Sequence, residues 1–426
     1  MNTYKEVLDY LYSCLPMFQR VGAPAYKADL SLTVAWMDIL GHPYRRFPVI
    51  HVGGTNGKGS VTHYLASVLQ EAGYKTGLFT SPHLIDYRER IKIDGKWIDE
   101  NYIIEFVKRY KKEVDTLKLS FFEWTTGLAF QYFADQQVDV AVIEVGMGGR
   151  LDSTNVVDPV VSIVTNVSFD HQQFLGDTLE KIAFEKAGII KPSKPFLLSE
   201  DDANYSHVFK KIALEKKAPF YTASLWKNSF ENQIPADILK DLPDFQRKNL
   251  LCVWATKEII KDKFSIDLPE FVSGVRNVST NTGFRGRFEK LSEKPLIFID
   301  VAHNEAGIKE LLQNIQKFPD KKVSIVFGVV KDKDVGKIAG LLPVEYTYYL
   351  CKPDVPRGLP VEELAKHFRG LGFRCFATPV EALKAAIEEA DQKTLIVATG
   401  SFFVVSDILL ALQNDLISPT QKGNVI

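Results

Sequence analysis

The sequence predicts an α/β protein of two domains: a larger N-terminal one with a mostly parallel sheet and a P-loop-type loop, and a smaller Rossmann-like C-terminal one. Three observations predict it. Short apolar runs alternate with helix-period patterns, the alternation lapses once and restarts, and the first run breaks into glycines, a lysine and a hydroxyl. A length of 426 residues also exceeds what one hydrophobic core usually organises.

The elements follow in chain order. In Phe47-Pro-Val-Ile-His-Val-Gly-Gly-Thr-Asn-Gly-Lys-Gly-Ser60 a strand-like run opens into a glycine-rich loop and then a helix-like Val61–Leu69. Val49–Val52, Thr76–Phe79, Asp139–Val145, Val160–Thr165 and Phe196–Ser199 read as buried parallel strands, because both faces of each run are apolar. Glycines and small polar residues in Asn277–Arg287 then interrupt the pattern, placing the domains at 1–285 and 286–426. Pro295–Val301, Val323–Val329, Tyr346–Leu350, Arg374–Ala377 and Leu395–Gly400 are the strands of the second series. The long apolar stretch Thr394–Ala411 is divided by Gly400, Ser401, Ser406 and Asp407 into a buried strand and an amphipathic helix, so no membrane span is expected.

Composition narrows the function. With 52 basic and 53 acidic residues the net charge is −1, and no basic block or basic stripe with aromatics supports a nucleic-acid surface. Cys14, Cys252, Cys351 and Cys375 lack metal-type spacing and read as reduced structural thiols. The N-terminus carries no apolar core with a small-residue cleavage site, so the cytoplasm is the expected location.

Gly53, Gly54, Gly57 and Gly59 allow backbone N–H groups to turn inward, the helix start adds partial positive charge, and Lys58 adds a full one. A nucleoside triphosphate suits such a cradle. The strict Walker A pattern fails, because Gly59 separates Lys58 from Ser60 and Val52 stands in the place of the first glycine. The bland alternative is a turn that only joins strand to helix. Glu144 ends an otherwise apolar strand and needs a cation or hydrogen-bond donors, while Asp170 and His171 follow the next strand. With Ser60 and Ser81 they form the hard-oxygen set that Mg²⁺ prefers, although His171 alone would read as a structural histidine. By sequence chemistry alone Lys186 is a solvated helix cation. Arg287, Asp300 and His303 suit ribose, base and phosphate; the competing reading is a strand-to-helix turn with Asn304 as its cap.

Taken together, these residues resemble the folylpolyglutamate synthase/dihydrofolate synthase family, a two-domain branch of the Mur ligase superfamily, through nearly the whole chain. The motifs are His51–Ser60, Thr80–Leu84 with Glu89–Ile91, Glu144–Gly149 with Asp152–Asn155, Asp170-His171 and Lys186–Lys191. The second domain adds Gly286–Glu289, Asp300–Asn304, Lys331–Asp334, Pro356-Arg357 and Thr399–Ser401. Two positions depart from the family pattern: Phe284-Arg-Gly-Arg287 stands where Trp-Pro-Gly-Arg is common, and Glu305 where a proline often follows the asparagine.

The resemblance implies ATP-dependent ligation. A folate carboxylate takes the γ-phosphoryl group, and the amino group of L-glutamate attacks the resulting acyl phosphate. It further implies that Gly57, Lys58, Gly59 and Ser60 hold the triphosphate, that Asn249, Arg287 and Asp300 make further ATP contacts, and that Ser81, Glu144 and His171 bind magnesium. The lysine matching Lys186 is carbamylated in the family and would hold a second Mg²⁺, which inverts the unaided reading of that residue. Lys58, Lys186 and His303 are the expected catalytic groups, His303 contacting nucleotide, phosphate or intermediate. The expected partners are ATP, L-glutamate and either dihydropteroate or a folate, with no nucleic acid and no membrane, and the enzyme is expected to be a monomer. Both acceptors stay open, since the ATP machinery serves either reaction. A nucleotide switch would need a guanine-reading Asn-Lys-x-Asp, which the sequence lacks.

Overall fold

The structure is a computed structural model that describes residues 1–17, 29–240 and 242–417. The chain divides into two compact units, Met1–Phe284 and Arg285–Ile426. In the first unit, eight strands form one sheet: β1 (Val49–Gly53), β2 (Thr76–Phe79), β3 (Ile91–Ile93), β4 (Lys96–Trp97), β5 (Val140–Glu144), β6 (Val161–Val164), β7 (Phe196–Leu198) and β8 (Phe220–Thr222). Their order is β4-β3-β2-β5-β1-β6-β7-β8. All neighbours from β2 to β8 in that order are parallel, and β3 and β4 form an antiparallel edge.

The parallel strands are apolar throughout because each feeds two layers. Val49, Phe79, Ala141 and Ile143 pack with Trp36 and Trp124 of the helices Ser31–Leu40 and Phe121–Asp135. Ile50, Val52, Leu78, Val140 and Val142 face the other way, against Val61, Leu65 and Val68 of Lys58–Glu71 and Leu250 and Val253 of Asp244–Ile260. In register, Val52 lies opposite Glu144, Gly53 opposite Val164 and Phe79 opposite Ile143. The carboxyl ends of β1, β2, β5 and β6 are therefore level, and the loops that follow them open at one edge, where ligands of such sheets bind.

The second unit has the strands β9 (Glu289–Glu293), β10 (Leu296–Ile299), β11 (Lys322–Phe327), β12 (Thr347–Cys351), β13 (Gly372–Phe376) and β14 (Thr394–Thr399) in the order β13-β12-β11-β14-β10-β9, with only β9 antiparallel. Its core is its own and includes Ile308, Leu311, Ile325, Phe327, Leu350, Leu364 and Val397.

Sequence reasoning overlooked β3, β4, β8 and β9. All are edge or near-edge strands: β4, β8 and β9 are only partly covered and need few apolar residues, while β3 is buried but only three residues long with Lys92 at its centre. The expected loop Asn277–Arg287 contains a short helix, Val278–Thr282, closed by Gly283 at φ 66°. Thr394–Ala411 does split: β14 ends, Gly400 turns at φ 100°, and Ser401 caps the helix Phe402–Gln413 by accepting from the Phe403 amide. Among the described residues no helix is long and apolar enough to cross a membrane.

Candidate active site

The loop after β1 is held from below by the residues that follow β6. The Thr55 and Asn56 amides donate to the Asn166 carbonyl and to Asn166 Oδ1, both at 3.0 Å, and Thr165 Oγ1 donates to the Asn56 carbonyl at 2.6 Å. Gly54 sits at φ 142°, and a Cβ there would stand 1.9 Å from Thr165 Oγ1. Gly57, at φ 82°, begins the Lys58–Glu71 helix, whose leading amides have no partner within the helix. They are the donors a phosphate would meet. Asn249 lies against this turn, since a Cβ on Gly57 would come within 2.4 Å of Asn249 Oδ1.

Two ammonium groups converge on one carbonyl. Lys58 Nζ donates to the Gly54 and Thr55 carbonyls at 3.2 and 3.0 Å, and Lys186 Nζ reaches the same Gly54 carbonyl at 2.8 Å. This corrects the reading of Lys186 as a solvated cation: it is 2% exposed. Burial, and then the charge of Lys58, push its pKa down to about 7, while the Asp170 carboxylate acts in the opposite direction. Thr178 caps the Leu179–Ala187 helix that carries it.

Glu144 ends β5, buried, and its Oε2 accepts the Ser81 amide at 2.8 Å. That bond joins the loops after β2 and β5. Below Ser81, Glu89 gathers the amides of Leu84, Ile85 and Asp86, and Arg90 Nε donates to His83 Nδ1 at 2.8 Å. His171 follows β6 at φ 50°, with Nε2 4.0 Å from Asp170 Oδ2. Among the described residues, no three His, Cys, Asp or Glu side chains are gathered into a ready-made metal cluster. One carboxylate with hydroxyls and an imidazole nonetheless suits Mg²⁺, which keeps waters and takes most ligands from nucleotide oxygens.

In the second unit Asp300 ends β10 buried, its two oxygens accepting the Phe288 and Ala302 amides at 2.7 Å. Burial raises its pKa and the charge of Arg287 opposes the rise. The Arg287 guanidinium lies 5.1 Å from the Phe402 ring centre, and His303 lies 5.6 Å from the same ring, its Nδ1 2.8 Å from the Val301 carbonyl. Arg285 donates to Glu289 Oε1 through Nε and Nη2. Asn304 does cap the Glu305–Ile315 helix, accepting the Gly307 amide at 2.8 Å. The capping reading of this turn therefore holds, with Asp300 and His303 at the same strand end. Both departures from the family pattern are accommodated. Glu305 is an acid at a helix start, and Phe284 packs against the His63 and Tyr64 rings at 5.1 and 5.7 Å.

Sequence reasoning gave no role to Thr165, Asn166 or Asp152. Asp152 accepts the Met147 and Thr154 amides, and Thr154 Oγ1 lies 2.8 Å from His51 Nε2, fastening the β5 loop to β1. The signal for Asp152 was its cap-like run Asp-Ser-Thr-Asn; the contacts of Asn166 have no local signature.

Two family models match the chain: the Mur ligase middle domain over residues 52–266 and the Mur ligase glutamate ligase domain over 286–402. A Bacillus subtilis dihydrofolate synthase/folylpolyglutamate synthase is 32% identical over 397 residues, covering 87% of this chain and 91% of that protein. Escherichia coli FolC in complex with DHPP and ADP superposes with a TM-score of 0.85 at 27% identity, covering 98% and 99% of the two chains. A bifunctional folylpolyglutamate synthase/dihydrofolate synthase with Mn, AMPPNP and L-glutamate bound superposes with a TM-score of 0.84 at 26% identity, covering 97% and 98%.

Proposed function

The chain belongs to the Mur ligase family of folylpolyglutamate and dihydrofolate synthases, ATP-dependent enzymes, and from that premise we propose how its residues carry the reaction. We propose that it joins L-glutamate to the γ-carboxylate of a folate through an acyl phosphate. The observation that carries this reading is the convergence of the Lys58 loop, Ser81, Glu144 and buried Lys186 at one edge of the first sheet. Because the Bacillus subtilis and Escherichia coli relatives carry both activities in their names, dihydropteroate is proposed as a second acceptor.

In this reading the leading helix amides, Lys58 and Ser60 bind the triphosphate, Asn249 and Asp300 position the nucleotide, and Arg287 meets phosphate charge. Arg287 is preferred to Arg285 because Gly286-Arg287 retains the Gly-Arg pair of the family pattern. Ser81, Glu144 and His171 would hold one magnesium and carbamylated Lys186 a second, and the bound ions would supply charge neutralisation at the phosphate oxygens. Carbamylation suits the site: it turns one of two cations that crowd the Gly54 carbonyl into an anion, and an amine depressed to about 7 is available in its neutral, reactive form. The folate carboxylate attacks the γ-phosphorus and ADP leaves. The amino nitrogen of glutamate then forms the amide bond as the C–O bond to phosphate breaks, the nitrogen losing its proton. No protein nucleophile is required, so rate comes from positioning and charge. His303, with Nδ1 facing a carbonyl, is proposed to contact phosphate or the intermediate through Nε2.

A monomer is proposed, which light scattering tests. The purified protein with ATP, Mg²⁺ and glutamate should lengthen tetrahydrofolate and dihydropteroate by one glutamate, read by mass. ATP consumption that needs neither folate nor glutamate would overturn the proposal.

A further inference from the structure

We propose that Glu200 is a positioning residue for nucleotide binding, acting through Asn166 on the form of the phosphate loop. The inference rests on reading Gly53–Ser60 as the ATP site. Asn166 holds two consecutive loop amides, Thr55 with its carbonyl and Asn56 with Oδ1, each at 3.0 Å. The carboxamide can serve Asn56 in only one of its two flips, because the other sets an NH₂ group against an N–H. Glu200 selects that flip. Its Oε1 accepts Asn166 Nδ2 at 3.1 Å, and the reversed amide would oppose oxygen to carboxylate.

Glu200 is itself fixed. Its amide donates to the Thr165 carbonyl at 3.2 Å, and its carbonyl accepts the Tyr205 hydroxyl at 3.1 Å. The second carboxylate oxygen meets Lys248 Nζ at 2.8 Å, one residue before Asn249. The Lys248 side chain is 55% exposed, so this ion pair contributes little, and the bond to Asn166 is the one that matters. Without it the Asn56 amide loses a fixed acceptor and the loop no longer presents its amides in one arrangement. Groups that act after binding are untouched, so affinity for nucleotide should fall while turnover persists.

The test measures ADP binding with Mg²⁺ by calorimetry, beside steady-state kinetics, on the full chain. Glu200→Leu should weaken ADP and raise KM for ATP roughly tenfold, with kcat and the other two KM values within about twofold. Glu200→Gln, whose carbonyl can still accept Asn166 Nδ2, should recover most of the loss, and Lys248→Met should change ADP affinity less than about threefold. Asn166→Asp, which sets two carboxylates against each other, should show the same selective loss even if Glu200→Leu fails to fold. Unchanged ADP affinity in Glu200→Gln, Glu200→Leu and Asn166→Asp, or a loss shared equally by all three substrates, overturns the role of Glu200. Failure of the wild-type protein to bind ADP would instead overturn the ATP reading of the loop, and this inference with it.

Discussion

Lys58 and Lys186 share a carbonyl but differ in environment, and the difference predicts different phenotypes. Lys58 is half-buried in the first turn of its helix and outside the core, so Lys58→Ala should leave the fold intact and cost at least roughly 100-fold in ligation, read by kcat/KM beside a circular dichroism melt. Wild-type turnover in that variant would remove Lys58 from the site. For Lys186 the sign follows from its depressed pKa of about 7: above that pH the amine is neutral and open to carbamylation, below it the ammonium is not. Activity after CO₂ depletion should therefore recover with bicarbonate more fully above pH 7 than below it. Lys186→Arg should be inactive although it keeps the charge, and an active Lys186→Arg enzyme would show that charge suffices. Glu144 and His171 are predicted to share a magnesium, so alanine at either should raise the Mg²⁺ concentration for half-maximal rate by roughly tenfold or more. Unchanged Mg²⁺ dependence in both variants would make them structural.

At the level of elements, the phosphate loop is a strand-to-helix turn with no space for a Cβ at Gly54 or Gly57. Gly54→Ala brings a Cβ to 1.9 Å from Thr165 Oγ1 at a φ of 142°, so the Thr165 hydroxyl must leave the Asn56 carbonyl. It should raise KM for ATP more than roughly tenfold and destabilise the protein by about 1–3 kcal/mol in urea unfolding. An alanine variant with wild-type KM would mean that the loop conformation is not the one that binds. Glycine, lysine and strand were all legible here, because the chemistry of a phosphate cradle is local in sequence. The partners that hold it were not: Thr165 and Asn166 come from a distant segment and carry no mark of their role.

On the scale of the whole molecule, burial of titratable groups sets the response of stability to pH. His51, fully buried in β1, has its pKa depressed to about 3, chiefly by burial and then by Lys191. Unfolded it would titrate near 6.5, so between those values the unfolded chain binds the extra proton and stability falls as pH drops. His51→Gln should flatten this limb, its stability gaining on wild type by up to about 3 kcal/mol between pH 6.5 and 4, followed by urea midpoints. Equal pH slopes would show that His51 does not carry the effect. The sequence by itself determined the α/β class, the two series of strands, the phosphate loop and the family, because buried parallel strands and glycine turns are written in contiguous residues. It could not decide that Lys186 is buried beside Lys58, that Glu144 binds the Ser81 amide, or that Glu200 orients Asn166. Those facts depend on parallel register, which levels the ends of strands far apart in the chain and sets the dielectric and partners each group meets.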